Sequence, residues 1–251
     1  MTFRYFIFLS YRGTQYHGWQ VQPNSITVQK LLDKALQTIL TEEITTIGAG
    51  RTDTGVHALV FCAHFNSKYE DLATRENIIY KLNSVLPHDI SVYRIRMVKN
   101  DANARFSAIS RTYKYYISGI KDPFSLDSAW FIHDILNIDK MNEAASLLFS
   151  YNEFTSFSKL HSDNKTDICK VSYAKWDIND NKLEFTITSD RFLRNMVRAI
   201  VGTLVDIGSG KIEINDFERI ILAKDRGKAG KSAPAKGLFL AGIEYLEDIY
   251  I

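Results

Sequence analysis

Cysteine is scarce in this chain: Cys62 and Cys169 are the only two among 251 residues. That is too few for the disulfide framework of a small secreted domain, and both are expected to be free thiols. An excess charge of one sign is missing as well. Lys and Arg number 31 against 29 Asp and Glu, a net charge of +2, so bulk charge is no lure for nucleic acid and any RNA footprint must be local. No window approaches the roughly 20 apolar residues of a membrane span. The opening MTFRYFIFLSYRG lacks the basic region and small-residue cleavage site of a secretory leader, and a cytoplasmic protein is expected. What is present is a 45% hydrophobic, 24% charged, 12% aromatic composition. That argues against disorder and supplies a substantial core, whether in one domain or two smaller ones.

His57, Cys62 and His64 are three potential metal ligands close in sequence. The apolar run LVFCAHF around them reads as a buried strand instead, and no metal is expected.

Periodicity orders the first half as strand, helix, strand, strand, helix, strand. Phe3 to Ser10 is strand-like, and Thr27 is an N-cap for a helix to Leu40, whose Val28, Leu31, Leu32, Ala35, Leu36, Ile39 and Leu40 repeat at helical spacing. Ile44 to Ile47 and Ala58 to Phe65 read as strands, Glu76 to Val85 as a helix, and Ile90 to Val98 as a strand after Pro87. The second half repeats the order. Thr112 to Ser118 is a strand, Asp139 caps a helix carrying Met141, Ala144, Ala145 and Leu148, and Val171 to Ile178 and Leu183 to Thr188 are strands. Phe192 to Ile207 and Ile214 to Leu222 are helices, and Leu238 to Tyr245 closes as a strand. The expected architecture is α+β: two ferredoxin-like (RRM-like) βαββαβ halves, residues 1–105 and 106–251, with a joined, mostly antiparallel sheet and a central cleft.

Between two expected strands lies Gly48-Ala-Gly-Arg-Thr-Asp-Thr-Gly-Val-His-Ala58. Its glycines permit backbone conformations other residues resist, so the loop can present side chains. It could equally be a plain connection with Arg51 and Asp53 solvated. It is a poor phosphate cradle, because it opens no helix and has no Gly-Lys-Ser ending. Lys224, Arg226, Lys228, Lys231 and Lys236 put five positive charges into a loop, suited to phosphates or simply to solvent.

GAGRTDTGVHA resembles the catalytic motif of the TruA family of tRNA pseudouridine synthases, and five further blocks match in family order: YRGTQYHGWQ at 11–20, ARFSAISRTYKYYI at 104–117, FTSF at 154–157, FLRNMVRAIVG at 192–202 and AGKSAPAKGLFL at 229–240. The resemblance implies the pseudouridine synthase fold and isomerisation of uridine in the anticodon arm of tRNA, at positions 38, 39 and 40. It implies no cofactor and a homodimer. Asp53 is then the nucleophile, attacking either the uracil ring or the ribose anomeric carbon.

Chemistry requires that carboxylate to be ionised in a site where burial favours the neutral acid, so a cation must stand beside it. The family pairs it with the arginine that falls at Arg198, in the apolar helix 192–207; Arg194 and Arg198 should share a helix face there. Tyr113 takes the family's stacking role on the flipped base, on a strand face shared with Arg111 and Tyr115. Arg51 is implicated in base flipping, and Leu238 resembles a residue lining the uracil pocket. Arg105, Arg111 and Lys114 would extend the RNA surface.

Two positions depart from the family pattern: Arg12 stands where aspartate is usual and Asn103 where histidine is usual, which bears on how those loops meet RNA and not on the core motif. A non-catalytic RNA-binding module with paired ferredoxin-like domains is the rival expectation; a carboxylate set in a loop near phosphates favours catalysis over it. A zinc-dependent deaminase fails for want of an H-x-E followed by P-C-x-x-C.

Overall fold

The computed structural model describes residues 1–159, 166–179 and 182–251. The chain forms two compact units, Met1–Ser110 with Leu240–Ile251, and Arg111–Phe239. Both are α+β.

In the first unit, β1 (Phe3–Tyr11) is the inner strand, flanked by antiparallel β3 (His57–Ser67) and β4 (Ile90–Val98). Its residues Tyr5 to Leu9 are buried throughout, as expected of a strand covered on both faces. The order is β4-β1-β3-β9, where β9 is Leu238–Tyr245, and the short β2 (Ile47–Gly48) pairs with β3. The register sets Tyr5 opposite Phe65, Ile7 opposite Ala63 and Ile95, and Leu9 opposite Phe61. Helix α1 (Val28–Leu40) starts at Thr27, whose side chain accepts from the Lys30 backbone N–H, and its Val28, Leu32, Ala35, Leu36 and Leu40 stripe is buried.

The expected strand at Ile44 to Ile47 forms only at its end. Ile44 is buried as a side chain without strand pairing, and β2 begins at Ile47. A short apolar run does not by itself distinguish strand from packed loop.

The C-terminal residues complete this unit. Phe6, Phe8, Ala49, Cys62, Val98, Ala102 and Ala104 form a cluster capped by Ile243, Tyr245, Ile249 and Tyr250. The Tyr245 hydroxyl donates to the Ala104 carbonyl at 2.7 Å, and the Arg96 guanidinium lies 3.5 Å over the Tyr250 ring. Burial of each large aromatic here contributes about 1.5–3 kcal/mol, which is why a sequence-distant tail belongs to this core.

In the second unit, β5 (Ala108–Ser118) pairs with β8 (Lys182–Ser189), and β8 with β7 (Val171–Asn179), all antiparallel; β6 (Trp130–Phe131) adds a parallel pair to β5. Trp176 and Phe185 face each other in register and stack at 4.9 Å. Helix α3 (Ile138–Ser146) is capped by Asn137, whose side chain accepts from Lys140 N–H at 2.9 Å. Asp139, expected as the cap, sits inside the first turn, where a carboxylate still complements the helix dipole. Helix α4 (Met196–Gly208) is apolar almost all round and buried, and α5 (Ile214–Ala223) follows. Residues 192–195 do not join α4, because Asn195 adopts φ 67°. Arg194 therefore precedes the helix and shares no helical face with Arg198.

The edge strands carry a common device. Helix α2 (Ile78–Val85) sends Asn83 to β4, donating to Val92 C=O and accepting from Val92 N–H, both at 2.8 Å. Asn142 of α3 does the same at Trp176 of β7, at 3.0 and 2.7 Å. Each primary amide substitutes for a missing neighbour strand, whose unpaired groups would otherwise template association. Asn83→Ala is expected to lower unfolding stability by about 1–3 kcal/mol, seen in thermal melts as a drop of roughly 2–4 °C per kcal/mol.

Candidate active site

The Gly48–Ala58 segment is held from both of its ends and from its middle. Gly48 pairs with Ala63, and Ala49 N–H donates to the Cys62 carbonyl at 2.8 Å. At the far end Val56, His57 and Ala58 are buried as β3 begins. Between them Thr52 is 8% exposed, Asp53 is half-buried, and Arg51 and Thr54 face solvent. Val56 N–H donates to the Asp53 carbonyl at 3.1 Å, closing a turn that begins at Asp53.

The block at 11–20 is the other half of this construction. The hydroxyls of Tyr11 and Thr52 are hydrogen-bonded at 2.8 Å, both buried. Gly13 N–H donates to His57 Nδ1 at 3.0 Å, Trp19 N–H to the Thr52 carbonyl at 3.4 Å, and Gly55 N–H to the Tyr16 carbonyl at 3.3 Å. Gly18 has φ +80°, and a Cβ there would fall 2.2 Å from the Thr52 carbonyl oxygen, so only glycine lets the two segments touch. Trp19 stacks on Phe61 at 4.1 Å beneath.

The brace is tied in turn to the start of β4. Arg12 N–H donates to the Asp89 carbonyl at 2.9 Å, and the Tyr16 hydroxyl donates to the Asp89 carboxylate. Burial, then that carboxylate, pushes the Tyr16 phenol far above its ordinary value. The Arg12 side chain itself is exposed.

His57 and His64 are nearly inaccessible, at 1% and 3%, and His64 Nδ1 accepts from Ala104 N–H at 3.1 Å. Burial, with help from Arg4, pulls the His64 imidazole down to about 4, so it is neutral at physiological pH. Cys62 and Cys169 are buried free thiols, pushed up chiefly by burial. Among the described residues no three His, Cys, Asp or Glu side chains gather as a metal site.

In the second unit, Arg198 projects half-buried from α4. Its Nε–H donates to the Ala233 carbonyl at 2.7 Å, while Ala233 N–H donates to the Arg198 carbonyl at 2.9 Å. The Tyr115 hydroxyl donates to the next carbonyl, that of Pro234, at 2.8 Å. Burial drives the Tyr115 phenol upward, and the Arg198 charge opposes it. Tyr113, two residues away on the same strand face, is half-buried with its ring edge-on to Phe192 at 5.2 Å. Leu238 is 5% exposed at the start of β9.

The 229–233 segment lies flat on α4. A Cβ at Gly202 would fall 1.8 Å from the Lys231 carbonyl oxygen, which places a glycine in the middle of an otherwise bulky helix.

The five-cation loop is largely committed to the protein. Lys224 pairs with Glu153 at 2.7 Å, and Arg226 donates to the carbonyls of Ala229 and Gly230 and to Ser232 Oγ, which Asn195 also reaches at 2.7 Å. Lys236 donates to the Leu126 carbonyl at 2.8 Å. Lys228 and Lys231 are exposed. Two other expected RNA contacts are also engaged: Arg111 donates to the Asp190 carbonyl, and Lys114 pairs with Glu184 at 2.7 Å. Burial pushes the Glu184 carboxyl up, but the bond and charge of Lys114 leave it below its ordinary value. Asn103 accepts from Arg105 and Phe106 N–H groups, so it caps a turn.

Asp53 and Arg51 thus belong to the first unit, and Tyr113, Arg198 and Leu238 to the second. Sequence reasoning passed over Thr52, Asp89 and the purpose of the 11–20 block; the only signal was the block itself.

The family model for tRNA pseudouridine synthases matches residues 7–107 and 144–246, and Tyr113 falls between the two matches. The chain is 54% identical to the tRNA pseudouridine synthase A of Bacteroides fragilis over 98% of both chains. It is 54% identical to that of Bacteroides thetaiotaomicron, over 98% of this chain and 92% of the relative. The enzyme of the same name from Thermoanaerobacter pseudethanolicus is 42% identical over 95% of this chain and 98% of its own. On this evidence the chain belongs to the tRNA pseudouridine synthase family.

Proposed function

We propose that this chain converts uridine to pseudouridine in the anticodon arm of tRNA, at positions 38, 39 and 40, as a cytoplasmic homodimer. Asp53 acts as nucleophile on a uridine flipped out of its stack. The isomerisation breaks the N1–C1′ bond and forms a C5–C1′ bond; the proton lost from C5 is matched by one gained at N1, so there is no net oxidation or reduction, and the carboxylate that attacks is released again as the new bond forms. Arg198 supplies the cationic partner of the Asp53 carboxylate, Tyr113 stacks on the extruded base, Arg51 helps displace it and Leu238 lines the uracil pocket. Unstacking costs a few kcal/mol, and an aromatic platform returns about 1–3 kcal/mol of it.

The observation that carries this reading is the half-buried Asp53 on a segment immobilised by buried hydrogen bonds, in a chain matched by the family over most of its length. A solvated connecting loop would have no need of that bracing. The βαββαβ order of the first unit and the β5-β8-β7 arrangement with α3 and α4 in the second support a reading as two ferredoxin-like halves, residues 1–105 and 106–251, with Leu240–Ile251 packing on the first.

The test is incubation of the purified protein with unmodified tRNA transcripts, without added metal or cofactor, followed by mapping of pseudouridine by site. Product at 38–40 is expected; a protein that binds the transcript and leaves every uridine unchanged would be the non-catalytic binding module.

A further inference from the structure

We infer that Tyr11 is a positioning residue of the reaction: its buried hydroxyl, bonded to Thr52, sets the direction in which Asp53 presents its carboxylate. The inference rests on Asp53 being the nucleophile.

Thr52 is the residue immediately before Asp53, and it is gripped twice. Its side chain meets the Tyr11 hydroxyl at 2.8 Å and its carbonyl accepts from Trp19 N–H. Fixing both the side chain and the carbonyl of one residue fixes the plane of the following peptide; the Cα–Cβ direction of Asp53 then depends on its φ, which the bond to its own carbonyl restrains. The Asp53 carbonyl is fixed in turn by Val56 N–H.

Tyr11 is suited to the task because it is the last residue of β1, opposite Ala58 of β3 and Ile90 of β4. Its ring leans on Phe61 at 5.6 Å, and it is 4% exposed. The hydroxyl thus transmits the position of a paired strand to a loop that has little regular pairing of its own. Both hydroxyls are shut away from water, so deleting either removes a bond that water cannot readily replace. Misplacement of a reacting group by about 1 Å can cost on the order of 100-fold in rate.

The experiment compares single-turnover pseudouridine formation and tRNA binding for the intact protein and for Asp53→Asn, Tyr11→Phe, Thr52→Val, Thr52→Ser and the Tyr11→Phe/Thr52→Val pair. Tyr11→Phe and Thr52→Val should each slow the chemical step about tenfold with the tRNA Kd held within about twofold, because only the geometry of one side chain changes. Thr52→Ser, which retains the hydroxyl, should stay within about threefold of the parent rate, and the double variant should be no slower than the worse single one.

If Asp53→Asn is inactive while Tyr11→Phe turns over at the parent rate, the positioning role is wrong and the nucleophile stands. If Asp53→Asn retains turnover, the nucleophile reading falls and takes this inference with it. A parallel loss of binding and rate in Tyr11→Phe would mark the pair as merely structural and overturn the proposal. Should Tyr11→Phe fold poorly, Thr52→Val read against Thr52→Ser decides the same question.

Discussion

Asp53→Asn is expected to reduce pseudouridine formation by more than about 10³-fold while tRNA affinity changes little. The substitution is nearly isosteric, so the Thr52 grip and the Val56 bond to the Asp53 carbonyl are untouched. What disappears is the negatively charged oxygen proposed to attack. An amide cannot replace it: its oxygen carries too little charge, and its nitrogen is a donor. The measurement is initial rate by site-mapped product alongside binding by filter retention, and turnover near the parent level would leave the mechanism without its central group.

Arg198→Ala should lower turnover on the order of 100-fold, in the range lost when a preorganised charge is removed from a reacting centre. Arg198 also donates to the Ala233 carbonyl, so Arg198→Lys is the necessary companion. It keeps a charge and gives up the fork geometry, and should fall between parent and alanine in rate. The measurement is single-turnover rate beside tRNA binding, and turnover at the parent level in Arg198→Ala would remove Arg198 from the proposed reaction.

Helical periodicity made α1 and its Thr27 cap legible, because burying one stripe of a helix requires that spacing whatever lies beneath it. The β5 alternation was legible for a similar reason: a strand puts Tyr113 and Tyr115 on one side by geometry alone. Places where the chain turns against its propensity were less readable. Phe192 to Asn195 carry on the apolar character of α4, yet Asn195 takes a left-handed conformation and bonds to Ser232, a contact 37 residues away. A charge count of the basic loop leaves out what its side chains meet, for the same reason. Arg226 looks like a phosphate ligand until its carbonyl partners three and four residues on are seen.

The Gly48–Ala58 segment divides along this line. The order of residues from Gly48 to Ala58, with the five companion blocks, was enough to identify the family and single out Asp53, since those choices of residue type are written in the chain itself. The tertiary structure alone decided that Tyr11, Gly13, Tyr16 and Trp19 hold that segment, that Asp89 anchors them, and that a C-terminal tail closes the core around Phe6 and Phe8. Hydrogen bonds between buried groups tens of residues apart depend on where the backbone brings them, and no spacing along a sequence encodes that distance.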